Sequence, residues 1–182
     1  MNETTEGVAA VPVLAISGPV GVGKSTVLVE IHDLLSAREV PHACVERHAL
    51  AYSSPERGYF NEDVLAVNLA SVWANFRAAG AERLVVAGVV ERPEDLEVYR
   101  RAVPGARITV CRLTAAEDTR LERLRGREVG AGLDWHLART VELERILDEV
   151  RLHDFAVSND AGRPVREAAL EVLARAGWTA GG

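Results

Sequence analysis

Nine residues, Gly18-Pro-Val-Gly-Val-Gly-Lys-Ser-Thr26, constrain this chain more than any other stretch of it. The apolar run VPVLAIS (11–17) precedes them and reads as a buried parallel strand. After them, Val27, Leu28, Ile31, Leu34 and Leu35 recur at helical spacing, which predicts an amphipathic helix. A strand that turns through a glycine loop straight into such a helix starts a βα unit, and βα units stack helices on a parallel sheet.

Gly18 to Ser25 also match the spacing G-x-x-x-x-G-K-[ST] without a mismatch, in the strand–loop–helix setting that the pattern requires. The chemistry this spacing serves is phosphate binding. Phosphate oxygens are met by backbone N–H groups, and Gly18, Gly21 and Gly23 let the chain curl close enough to present them, with Val20 and Val22 between. The helix that follows points its positive end at the same place. Ser25 offers a small hydroxyl to a metal ion, and Thr26 a second oxygen. Lys24 is the only lysine; the other twenty basic residues are arginine. The position calls for a compact ammonium on a flexible stem, and a planar guanidinium fork fits such a confined loop poorly.

The rest of the chain continues the alternation. HACVE (42–46) reads as a second strand, residues 47–61 as a loop, and 62–79 as a helix with a stripe of Leu65, Leu69, Val72 and Phe76. A third strand falls at about 83–90 and a fourth in ARITVCRL. Thr114 and Glu117 form a capping-box pattern opening a helix to about Arg125, and GREVGAG reads as a mobile link. Asp134 is placed as N-cap of the next helix, DFAVSN as a fifth strand, and Pro164 in the first turn of the last helix. The expected fold class is α/β, a single domain over 10–178 with loose tails at 1–9 and 179–182.

Composition narrows the function classes. A net charge of −6 and a pI of about 5.4 argue against nucleic acid as the main partner. No run is long enough to span a membrane, and the acidic start has no basic leader region, so a cytoplasmic location is expected. Cys44 and Cys111 read as buried thiols, and the five histidines show no metal-ligand spacing along the chain. With one lysine, the Asn-Lys-x-Asp signature that reads guanine cannot be built, and no L-S-G-G-Q transporter signature is present.

Over about residues 10–178 the chain resembles the nucleoside-monophosphate-kinase-like branch of P-loop kinases, a group that includes shikimate, gluconate and adenylylsulfate kinases and chloramphenicol phosphotransferase. The resemblance implies a three-layer P-loop fold with five parallel strands in the order 2-3-1-4-5, ATP and Mg²⁺ as cofactors, and a short arginine-bearing lid at about 120–136. Strands 2 and 4 would then lie about 14 Å apart, too far for a Cys44–Cys111 disulfide. By the same resemblance Arg120 is expected to stack on adenine and Arg127 to cover the phosphates; Arg123 shares their helix face. Closure of such a lid excludes water and brings positive charge to a transferring phosphoryl group.

On the acceptor side, Glu46 ends the second strand where related kinases place an acid that orients or deprotonates a hydroxyl, with His48 as a substitute. The chain departs from these kinases at the third strand, where an acid gives way to Val86-Ala87-Gly88; Glu91 is the candidate replacement. Asn61, Asn68 and Asn75 share one helix edge and read either as boundary amides or, with Tyr52, Phe60 and Trp73, as part of an acceptor pocket. His136 and Arg139 read as helix surface or as an extension of the lid. The resulting expectation is an ATP-dependent phosphotransferase acting on a hydroxyl of a small metabolite or natural product, with Lys24, Glu46, Arg123 and Arg127 as catalytic groups and Ser25 on the metal. The alternatives are a nucleotide or adenylylsulfate-type kinase, for which Arg47, Arg57 and Arg77 are available, and a non-catalytic ATP-binding switch or resistance protein.

Overall fold

Leu14, Ala15 and Ile16 are fully buried because their strand lies at the middle of the sheet. The computed structural model describes residues 10–53 and 61–178; the expected tails, Arg57 and Phe60 lie outside them. Among the described residues the strands are β1 (Val11–Ser17), β2 (Ala43–Glu46), β3 (Leu84–Ala87), β4 (Ala106–Thr114) and β5 (Phe155–Ser158). The helices are α1 (Lys24–Ser36), α2 (Glu62–Ala78), α3 (Pro93–Ala102), α4 (Glu117–Arg127), α5 (Ala131–Val150) and α6 (Val165–Arg175).

All strand pairs are parallel, and the sheet order is β2-β3-β1-β4-β5. Val13 of β1 stands level with Leu84 of β3 and Ile108 of β4. Alternation along the strands feeds two cores. Leu14 and Ile16 pack with α1 and α6; Val13 and Ala15 pack with α2 and α3. The parallel register sets the turn after β1 beside the ends of β2 and β3, and that edge carries the glycine loop.

Helix α3 has no counterpart in the sequence-based reading. Its signals are terminal, not periodic: Pro93 at its first turn, Glu94 and Asp95 behind it, and Arg100 and Arg101 in the last turn. Five other expectations shift. On α2 the buried stripe runs through Leu65, Leu69 and Trp73, whereas Phe76 is exposed. Thr114 ends β4, so it caps nothing; α4 follows Ala116 without a side-chain cap. Asp134 sits inside the first turn of α5, which begins after Gly130. Pro164 stands one residue before α6. The expected mobile link is mostly helical, since α4 runs through Gly126 and only residues 128–130 separate it from α5. Both cysteines are free thiols, with Cys111 buried and Cys44 half-buried.

Candidate active site

The glycine loop is packed from three sides. A Cβ placed on Gly18 would stand 2.6 Å from the Leu113 carbonyl oxygen, one on Gly21 2.7 Å from that of Arg120, and one on Gly23 2.5 Å from Asn159 Nδ2. Gly21 and Gly23 also have φ values of +80° and +96°. These positions therefore exclude side chains on both steric and backbone grounds. Asn159, beyond β5, donates through Nδ2 to the Val22 carbonyl at 2.8 Å. Arg123 donates to the carbonyls of Val22 (3.2 Å) and Asn159 (2.9 Å). From the other side Thr140 of α5, fully buried, donates its hydroxyl to the Val20 carbonyl at 2.7 Å.

Lys24 opens α1. Its Nζ donates to the carbonyls of Gly18 (2.8 Å) and Pro19 (2.9 Å), which folds the ammonium back over the loop. Desolvation lowers its pKa to about 8; the nearby Glu46 carboxylate opposes this and Arg127 adds to it. Glu46 and Arg127 therefore both lie within electrostatic reach of the ammonium. Ser25 and Thr26 are exposed at the first turn of the helix. Burial, then the charges of Lys24, Arg47 and His136, also push His48 below the ordinary histidine range, and its ring stacks on Tyr52. Glu46, His48 and Arg127 thus all lie within electrostatic reach of the Lys24 ammonium.

Other expected site residues are engaged elsewhere. Arg120 is 3% exposed, donates to the Ala115 carbonyl at 2.5 Å and pairs with Glu144 at 3.0 Å, so its guanidinium is held between α4 and α5. Arg112 meets the same Glu144 at 2.6 Å. Glu91 is gripped through both carboxylate oxygens by Arg139, at 2.6 and 2.5 Å. Arg127 is exposed and pairs with Glu128, which also pairs with His136. Burial opposes ionisation of Glu128, but the Arg127 hydrogen bond and the charge of His136 outweigh it and lower its pKa. Asn61 donates to the Ala51 carbonyl (2.9 Å) and Asn68 to that of Leu50 (2.7 Å), so these two amides fasten the 50–53 segment to α2. Trp73 belongs to the α2/α3 core and lines a surface cleft with Arg77, Arg101 and Pro104, apart from Tyr52, Asn61 and Asn68.

Sequence reasoning missed the structure at the end of β3. A Cβ on Gly88 would stand 2.6 Å from Arg47 Cβ and 2.8 Å from Arg47 Cδ. The stem of Arg47 fills the place a side chain would take, and its guanidinium reaches Asp95 of α3 at 2.6 Å and the Val89 carbonyl. Asp95 in turn accepts the backbone N–H groups of Glu91 (2.8 Å) and Arg92 (3.1 Å). Both charges are buried. The only sequence signal was that Arg47 follows the acid at the end of β2. The absence of ligand spacing for histidine also fails in three dimensions, where His32, His42 and Cys44 come together.

The loop's inward backbone, the helix end and the Lys24 ammonium suit a polyphosphate, and the Ser25 hydroxyl suits a hard cation. Together with the sheet order they define a P-loop protein with the fold of small-molecule kinases. Comparison with known proteins agrees. Residues 14–146 match the AAA domain family, and the chain belongs to that family. A gluconokinase from Sinorhizobium meliloti 1021 is 22% identical, with 90% of this chain and 92% of that chain covered at a TM-score of 0.56. The tunicamycin resistance protein of Deinococcus radiodurans is 22% identical, with coverages of 93% and 97% and a TM-score of 0.61. A shikimate kinase from Acinetobacter baumannii is 17% identical, with coverages of 90% and 91% and a TM-score of 0.55. At these identities the likeness is one of fold. No curated protein sequence matches the chain. Among the described residues no helix is long and apolar enough to cross a membrane.

Proposed function

We propose that residues 10–178 form one catalytic domain, an ATP-dependent phosphotransferase that transfers the γ-phosphoryl group to a hydroxyl of a small metabolite or natural product. The observation that carries this reading is the Lys24 ammonium folded over the glycine loop, with Glu46 and Arg127 within its electrostatic reach. The backbone of Gly18–Ser25 binds the phosphates, and Lys24 exchanges its bonds to the Gly18 and Pro19 carbonyls for phosphate oxygens. Arg127, held by Glu128, supplies charge from the lid, while Arg123 braces the loop and the chain after β5. Glu46 orients the acceptor hydroxyl and receives its proton. When bound, ATP with Mg²⁺ on Ser25 supplies the phosphoryl group and charge neutralisation. Arg120 acts from within, setting the spacing of α4 and α5 at the nucleotide edge. The presence of a gluconokinase, a shikimate kinase and a tunicamycin resistance protein among proteins of this fold supports a hydroxyl acceptor of this kind.

The test is incubation of the protein with Mg-ATP and a metabolite extract beside a Lys24→Ala control, followed by mass spectrometry. A compound that gains phosphate only with the wild type is the expected result; equal turnover by the variant would overturn the reading. One observation favours a second reading, an ATP-binding switch: Arg47 fills the site of a β3 acid and Arg139 engages Glu91, which leaves neither position to support the metal. Tight ATP binding with neither ADP nor a phosphorylated product would select it.

A further inference from the structure

His32 stands on the outer part of α1, about 12 Å of helix rise beyond Lys24. After α1 the chain turns, and His42 and Cys44 enter β2 two residues apart. Strand alternation puts them on one face, and Cys44 packs against the core that contains the buried side of α1. The His32 and His42 rings meet with centroids 5.0 Å apart at 55°. His32 Nδ1 and His42 Nε2 are 2.9 Å apart, and one ligand atom from each of His32, His42 and Cys44 lies within 4.8 Å of the others.

The tautomer of His42 is fixed by its surroundings. Its Nδ1 is 2.7 Å from the Val40 carbonyl and so must carry the proton that it donates there. Nε2 then presents a lone pair toward His32. This backbone anchor is the arrangement that commonly orients a metal-bound imidazole. In tetrahedral geometry, two nitrogens at ~2.0–2.1 Å from an ion lie about 3.3 Å apart, so a small outward swing of the exposed His32 ring makes room.

We propose that His32, His42 and Cys44 form a three-ligand site for a thiophilic divalent cation of the zinc class, at the amino-terminal end of β2 and separate from the phosphate loop. One thiolate and two imidazoles favour such an ion over Mg²⁺ or Ca²⁺, which take oxygen ligands. The fourth position faces solvent beside His32 and takes water. Loading moves the His32 proton to Nε2 and releases the Cys44 proton to solvent. The occupied site ties α1 to β2, the two elements that carry Lys24 and Glu46, but it does not depend on any phosphotransferase activity.

The test uses reduced, nucleotide-free, full-length protein titrated with Co²⁺ alone and then with Zn²⁺. One equivalent of Co²⁺ should give a thiolate-to-cobalt charge-transfer band and visible bands of tetrahedral intensity, which Zn²⁺ then displaces. His32→Ala and Cys44→Ser should each weaken binding by more than about tenfold, while Cys111→Ala should not change it. Zn²⁺ should raise the thermal midpoint of the wild type and not that of His32→Ala. Because His32 is exposed, its replacement leaves the fold intact and decides the matter even where Cys44→Ser folds poorly. Absence of the charge-transfer band, or equal affinity in His32→Ala and wild type, would overturn the proposal.

Discussion

The stem of Arg47 lies directly against Gly88, with no room between them for a single added methyl group. Gly88→Ala must therefore shift either the end of β3 or a buried arginine that is paired with Asp95. The expected cost is about 1–3 kcal/mol, read as a lower midpoint in urea unfolding. An unchanged midpoint would show that Arg47 yields freely.

Removing Asp95 leaves the Arg47 guanidinium buried without its carboxylate and the N–H groups of Glu91 and Arg92 without their acceptor. Asp95→Ala should cost about 3–5 kcal/mol. Replacing both charges, as Arg47→Met with Asp95→Leu, should cost less than Asp95→Ala alone. A double variant at least as unstable as the single one would contradict a dominant role for the unpaired charge.

Lys24 gives a pH dependence with a defined sign. The phosphates bind its ammonium form, and its free-state pKa is about 8. Nucleotide affinity should fall as pH rises above about 8 and be flat below. In Lys24→Met affinity should be low and lack this dependence, as titration with a fluorescent nucleotide between neutral and alkaline pH can show. The same group should make the nucleotide-free fold gain stability from about pH 8 to 10.5, because across that window the unfolded chain holds the proton that the folded chain has released.

Glu46→Gln keeps the shape of the side chain and removes the base. Turnover should drop by roughly 10²–10⁴-fold, while nucleotide affinity, measured well below the Lys24 pKa of about 8, changes little. A variant with full turnover would shift the acceptor role to His48.

Thr140→Val deletes the hydroxyl that holds the Val20 carbonyl while keeping the volume. A loss of about 1 kcal/mol in stability is expected, with weaker nucleotide binding and recovery in Thr140→Ser. Isothermal titration of the two variants separates the loop's support from general packing.

The glycine loop and the strand–helix alternation were legible because they rest on local spacing, and the strand order followed from the resemblance that the loop supports. What escaped the sequence depends on contacts across the fold. Arg120 and Arg127 have the same spacing on one helix as surface arginines, yet Glu144 draws the first inward and Glu128 holds the second at the surface. The asparagine repeat was visible, but its role as a fastener for residues 50–53 needs the position of a loop that has no pattern of its own. Helix α3 was missed because its apolar residues are few and its evidence lies in its ends. His32, His42 and Cys44 carry no recognisable spacing until a turn folds the strand back along the helix.

Lys24 is the sole side-chain amine of the chain, and its pKa of about 8 makes it more nucleophilic at mild alkaline pH than an ordinary lysine. An acylating reagent of modest selectivity would thus mark the phosphate loop among the lysine side chains by default. The rate of that labelling, and its protection by nucleotide, would report occupancy of the loop directly, before any acceptor is known.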